Sequence, residues 1–242
     1  MRTAYREHLD NFSHDLIVMC DIVRTIMDKA SRALLDRALE LAEEALSLTE
    51  ELDEIRSRCS ERAVKLLALE NPMAQDLRQV VSSIYIIEDL FRMGQLAQHI
   101  ADSARRRHPE AVVPNKYLGF MEEMFRLTQD MGAVVHDILV TPDAELSVNV
   151  RSDDDAVDDI NHHLLRILTQ REWDGTVRQA VETAQITRYY ERYADHCVSV
   201  AGRIIYFATG LLPEEFEKKL QEDQKDAEFE ARMSELERQF RR

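Results

Sequence analysis

Apolar residues recur along most of this chain at three- and four-residue intervals, the spacing of one buried helix face. From Tyr5 to Met27 the stripe is Leu9, Phe12, Leu16, Met19, Val23 and Ile26. Ser31 is placed to cap a second segment through Leu34, Leu35, Ala38, Leu41, Ala42, Ala45 and Leu48, which a further run extends through Leu52, Ile55, Cys59, Ala63, Leu66 and Leu67. Asn71-Pro72 interrupts it, and Pro72 suits the first turn of a helix reaching about Arg107 with Leu77, Val80, Ile84, Ile87, Phe91, Leu96 and Ile100 on its apolar face.

Pro109 and Pro114 punctuate the chain, and beyond them the pattern starts again. Tyr117 to Leu139 parallels Tyr5 to Met27, Thr141-Pro142-Asp143-Ala144 reads as a cap and first turn, and Asp158-Asp159-Ile160 parallels Asp53-Glu54-Ile55. Glu172-Trp173-Asp174-Gly175 takes the place of Glu70-Asn71-Pro72, and a last long helix runs from about Thr176 to Thr209 and ends at Gly210. Offsets of one hundred residues align Arg78 with Arg178, Arg92 with Arg192 and Ala101 with Ala201. Such duplication predicts an all-α fold of two tandem antiparallel three-helix bundles, 1–110 and 114–212, each with a bend near Ser31 or Thr141. Residues 213–242 form a charged extension outside the repeat. Phe216, Leu220, Phe229, Met233, Leu236 and Phe240, with acid–base pairs such as Glu214–Lys218 and Glu228–Arg232, predict a helix there.

Composition agrees with long helices: six glycines and five prolines in 242 residues, with 32% charged. No apolar run approaches the roughly 18 residues of a membrane span, and Met1-Arg2-Thr3-Ala4 does not open a signal peptide, so a cytoplasmic protein without a transmembrane segment is expected. The net charge of −15 argues against nucleic acid as a partner. Arg105-Arg106-Arg107-His108 ends a helix, where cations complement the dipole. Cys20, Cys59 and Cys197 are too scattered for a disulfide framework or zinc knuckle and read as core residues.

The two copies of the last helix differ in their acids. Glu191 and Asp195 lie four residues apart, neighbours on one helical face, whereas the first copy has Phe91 and Gln95. Asp153-Asp154-Asp155 and Asp158-Asp159 crowd the helix expected to pack beside Glu191 and Asp195. Hard oxygen ligands from two helices suit a divalent or ferric ion, making Glu191, Asp195, Asp154, Asp155 and Asp158 the candidate metal ligands. The first-half counterparts are Glu50 and Asp53, with Asp76 and Glu88 on the partner helix. Arg188 and Arg192 offer the competing reading, in which salt bridges neutralise the acids. Histidines do not cluster as ligands: a di-iron bundle wants Glu-x-x-His on two helices, and the nearest approach is Asp159-x-x-His162. No glycine-rich phosphate loop or nucleophile elbow is present, so no catalytic residue is assigned.

Two motifs carry a resemblance. Pro72, Ala74, Asp76, Leu77 and Arg78 match Pro-x-Ala-x-Asp-Leu-Arg. Glu191, Arg192, Asp195, His196 and Ala201 match Leu-Glu-Arg-Ile-Gly-Asp-His-Ala-x-Asn-Ile-Ala, with departures at Ala194, Cys197 and Ser199. The first copy keeps Arg92, Gly94, Ala97, Ile100 and Ala101. Over about residues 1–212 the chain resembles the PhoU family of bacterial phosphate-signalling regulators. The resemblance implies a cytoplasmic homodimer, not an enzyme, recruited to the inner face of the membrane by its partners. It would restrain phosphate uptake and the phosphate-starvation response as an adaptor between the phosphate ABC-transporter ATPase subunit and a membrane histidine kinase. Some family members hold metal clusters on Glu-x-x-x-Asp faces, which here reaches Glu191 and Asp195 and, by the repeat, Asp155 and Asp158. Arg78, Arg92, Arg192 and His196 are then motif residues for structure or partner contact. The alternative reading is a metal-binding helical-bundle enzyme or metal store built on the second-half acids.

Overall fold

The computed structural model describes residues 2–170 and 173–240. Among them the chain is helical without strands: α1 (Arg2–Asp36), α2 (Leu39–Leu69), α3 (Gln75–Arg107), a 3₁₀ turn (Asn115–Tyr117), α4 (Leu118–Val140), α5 (Ala144–Leu168), α6 (Val177–Thr209) and α7 (Pro213–Phe240). Met1, the Glu172 predicted in the third break of the repeat, and the final Arg241 and Arg242 lie outside the described residues.

Helices α1, α2 and α3 pack on one another, as do α4, α5 and α6, giving the two tandem three-helix bundles. The bundles join through α3 against α6 and α1 against α4, so one apolar core runs through both halves. Phe12, Met19, Val23, Ile26, Leu52, Ile87, Leu90 and Met93 fill it on one side, and Met121, Met124, Met131, Val135, Ile186, Val200 and Ile204 on the other. Burying a side chain of this size contributes about 1.5–3 kcal/mol. All three cysteines are free and buried within it.

Sequence chemistry explains several helix ends. Asp143, after Pro142, caps α5 by accepting from the amides of Glu145 and Leu146, while Thr141 closes α4. Thr176 opens α6 through a reciprocal capping box with Gln179, and Gly210 closes it at φ 77°, a left-handed conformation that favours glycine. Pro213 opens α7 from the first helical position, where its missing N–H leaves no helical bond unmade.

Two predicted breaks move. Ser31 does not cap a helix: α1 continues through it to Asp36, and the turn falls at Arg37 (φ 57°) and Ala38. The Ser31 hydroxyl is instead fully buried, donating to Met27 Sδ and accepting from Tyr190 Oη of α6 at 2.8 Å. A hydroxyl committed to a tertiary partner is not available to cap. Pro72 does not open α3, which starts at Gln75 after positive φ at Asn71 and Ala74. The turn at Arg37 is tied to the segment joining the halves. Its guanidinium donates to Asn115 Oδ1 at 2.7 Å, and its carbonyl lies 3.1 Å from His108 Nδ1.

Candidate functional site

Helices α3 and α6 run antiparallel, because Arg107 near the end of α3 meets Glu182 near the start of α6 at 3.3 Å, while Arg78 near the start of α3 packs beside Gly210. Between these ends, Asp89 of α3 meets His196 of α6 at 2.9 Å. The motif residues Arg92, Arg192 and His196 line one cleft of about 400 Å³ with Gln95, Leu96, His99 and Tyr189. Arg92 donates to Gln95 Oε1 at 2.9 Å, so the glutamine standing where the second half has Asp195 is held by its own helix.

The second-half acids face each other from α5 and α6. Glu191 is only 7% exposed, an unusual place for a carboxylate. Its Oε1 accepts from Arg188, while its Oε2 is buried without a partner. Burial raises its pKa, opposed by Arg188 and reinforced by Asp195 and Asp158, with Arg192 pulling the other way. Asp154 is half-buried, and its Oδ1 also lacks a partner. Burial first, then the charges of Asp195, Asp158, Asp155 and Glu191, push its carboxyl up to about 6 from 3.8. The residues chosen from sequence therefore share one electrostatic site.

Asn161 was not expected as a buried polar residue on the same helix as Asp154. It lies seven residues beyond Asp154 on the same helical face, is 4% exposed, and leaves its Oδ1 unpartnered. Position could have revealed it, since it follows Asp154 and Asp158 at helical spacing; its neutrality concealed it.

The cluster fits a hard cation in donor type. Buried oxygens without hydrogen-bond donors cost free energy that a cation would recover. Among the described residues, however, no group of three or more acid, histidine or cysteine side chains is arranged to hold a metal ion. A cation would have to draw Asp158 or Asp195 inward and displace Arg188 from Glu191.

The first-half acids are not brought together. Glu50 and Asp53 are exposed on α2, Asp53 on the flank shared with Glu54, Ser57, Arg58 and Glu61. Asp76 lies near Tyr5, where burial and its own charge push the phenol up to about 12. Glu88 accepts both guanidinium arms of Arg56 at 2.8–3.1 Å. The same guanidinium stacks on Phe91 at 4.0 Å from the ring centre. Arg56 thus supplies a fixed positive charge on the face where the second half concentrates acids.

A model of the PhoU domain family matches residues 16–104 and 121–204, one match in each half. The chain is 42% identical over 213 residues to the phosphate-specific transport system accessory protein PhoU homolog 2 of Mycobacterium tuberculosis, covering 88% of this chain and all of that one. It is 41% identical over 215 residues to PhoU homolog 1 of Mycobacterium leprae, covering 89% and 97% respectively. The crystal structure of PhoU from Pseudomonas aeruginosa superposes with a TM-score of 0.80 at 25% identity, over 86% of this chain and all of that one. The phosphate transport system regulatory protein PhoU of Streptococcus pneumoniae shares the fold, with a TM-score of 0.76 at 22% identity and coverage of 86% and 98%.

Proposed function

The chain belongs to the PhoU family, and on that premise we propose that it is a non-enzymatic negative regulator of phosphate uptake and of the phosphate-starvation response. The observation that carries this reading is the two-repeat match spanning both bundles, joined to relatives about 40% identical that bear the name of phosphate-transport accessory proteins. In this reading the protein is a cytoplasmic homodimer recruited to the inner membrane face. It contacts the ATPase subunit of the phosphate ABC transporter and a membrane histidine kinase, and relays phosphate sufficiency between them. The cleft between Arg92 and Arg192 is the partner-facing surface, and Arg78 packs beside the turn at Gly210 at the far end of α6.

A divalent or ferric ion belongs to the same proposal. Glu191, Asp154, Asp158 and Asp195 would hold it, with Asp155 at the exposed edge. Bound there, the ion supplies positive charge to the α5–α6 face. The protein's own groups set its access: Arg188 occupies Glu191, and Arg192 flanks it. The orphaned oxygens of Glu191 and Asp154 also favour a second reading, a metal store or metal-dependent bundle enzyme. Stoichiometric iron, with turnover lost in Glu191→Ala and Asp195→Ala, would establish that reading instead.

The adaptor reading is tested by affinity capture from phosphate-replete cells. The expected result is retention of both the transporter ATPase subunit and the kinase, with both lost in an Arg92→Ala, Arg192→Ala double variant that keeps its melting temperature. Retention of neither by the native chain would overturn the reading.

A further inference from the structure

Helix α7 is rooted on the body by its first turns and then stands free. Arg151 of α5 holds Glu217 at 3.2 Å, and Phe216 and Leu220 are half-buried. Every described position from Gln221 onward is exposed. The family matches end at residue 204, so this helix lies outside what the repeats use. An isolated helix of 28 residues gains little from propensity alone and is ordinarily stabilised by burying a face.

The exposed end has such a face. Phe229, Met233, Leu236 and Phe240 follow one another at intervals of four, three and four, the d–a–d–a spacing of a two-stranded coiled coil. Their exposures of 63%, 43%, 40% and 86% leave the whole stripe open to solvent. The flanking charges are segregated in the same register. The g positions are Lys218, Lys225 and Arg232; the e positions Asp223 and Glu230 are acidic.

We propose that this stripe pairs with the same stripe of a second copy of this chain, forming a short parallel, in-register coiled coil. In a parallel pair each g residue meets the e′ residue five positions on, so Lys225 faces Glu230 of the other copy at the start of the stripe, a pair that occurs twice. An antiparallel pair would set basic g against basic g and acidic e against acidic e. The charge pattern therefore selects both the partner and its direction. Upstream, the core register passes through Glu222 and Asp226, so the two helices splay towards their bodies. Thirteen residues separate Phe216 from Phe229, about 20 Å of helix at 1.5 Å per residue, which gives the two bodies clearance.

The test uses full-length protein with cysteine introduced at either d position, Phe229→Cys or Leu236→Cys. The native thiols are buried, so they stay silent under mild oxidation. Both variants are expected to give a same-residue disulfide dimer under native conditions, lost in urea. An antiparallel pair can link like residues at no more than one of the two positions. In the Leu236→Cys background, adding Lys225→Glu should slow cross-linking about fivefold, and adding Glu230→Lys to that should restore it, since two symmetry-related ion pairs are inverted and then rebuilt. Cross-linking at neither site, at only one, or at a rate indifferent to these charges would overturn the proposal. Occupation of the stripe by another protein would give the first of those results.

Discussion

Replacing Asp154 by Asn should make the metal-free protein more stable, by an amount that grows as pH rises from the carboxyl's ordinary pKa to its elevated one. Asp154 titrates near 6 rather than 3.8 because it is partly buried and faces Asp195, Asp158, Asp155 and Glu191. A shift of that size corresponds to ~3 kcal/mol between the two protonation states at neutral pH. Partial exposure screens the charge–charge share, leaving about 1–2 kcal/mol. The sign follows from linkage. The folded-state pKa lies above the ordinary one, so the folded protein holds the proton more tightly than the unfolded chain. The stability this contributes is fully present below about 3.8 and is lost as pH rises through about 6. Asp154→Asn mimics the protonated form at every pH. In chelator-treated protein at pH 8 its thermal midpoint should exceed the native one by roughly 4 °C. At pH 5, between the unfolded and folded pKa values, the gap should shrink to about half, and it should close below about 3.8. On the metal proposal, adding a divalent or ferric ion should reverse the order at pH 8, because at one hundred times its dissociation constant a ligand contributes about 2.7 kcal/mol to the form that binds it. No gain at pH 8, or an equal gain at pH 5, would refute the view that these carboxylates share one strained site.

Tyr190→Phe removes the buried hydrogen bond to Ser31 that joins the halves, and should lower unfolding free energy by about 1–2 kcal/mol in urea titrations, with one cooperative transition retained. Gly94→Ala places a Cβ 2.3 Å from Leu52 Cδ2, which overpacking penalises by about 1–3 kcal/mol and helix propensity offsets by about 1. The net loss should therefore be about 1 kcal/mol by the same titration, whereas the corresponding Ala194 is accommodated in the second half with no exposed surface.

The duplicated helical pattern was legible because burial alone imposes it: Phe12, Leu16, Met19, Val23 and Ile26 of the α1 stripe enter the core, whereas the face α3 buries is centred on Ile86, Leu90, Met93 and Ala97 and leaves Leu77 of its predicted stripe exposed. Thr176 and Gly210 were legible because their cues act locally. Ser31 and Pro72 misled for a shared reason. Each is a good local terminator, but Ser31 is claimed by Tyr190 across the bundle interface, and the backbone reversals at Asn71 and Ala74 delay α3 past Pro72. At the candidate site, four-residue spacing put Asp154 and Asp158 on one face of α5 and Glu191 and Asp195 on one face of α6, near enough for the charges of the other three to raise Asp154. The first-half acids scattered because their partners come from elsewhere: Arg56 reaches across from α2 to Glu88, and Asp76 faces Tyr5 of α1. Asn161 and Arg56 were missed because an amide and a guanidinium do not enter a search for acidic ligands.

The central claim is that this member of the PhoU family restrains the phosphate-starvation response. The most direct measurement is the output of a phosphate-responsive reporter in a strain lacking this gene, grown in abundant phosphate and complemented with the native chain. The account predicts constitutive reporter expression in the deletion strain and repression on complementation. A reporter that stays silent without the protein would contradict it.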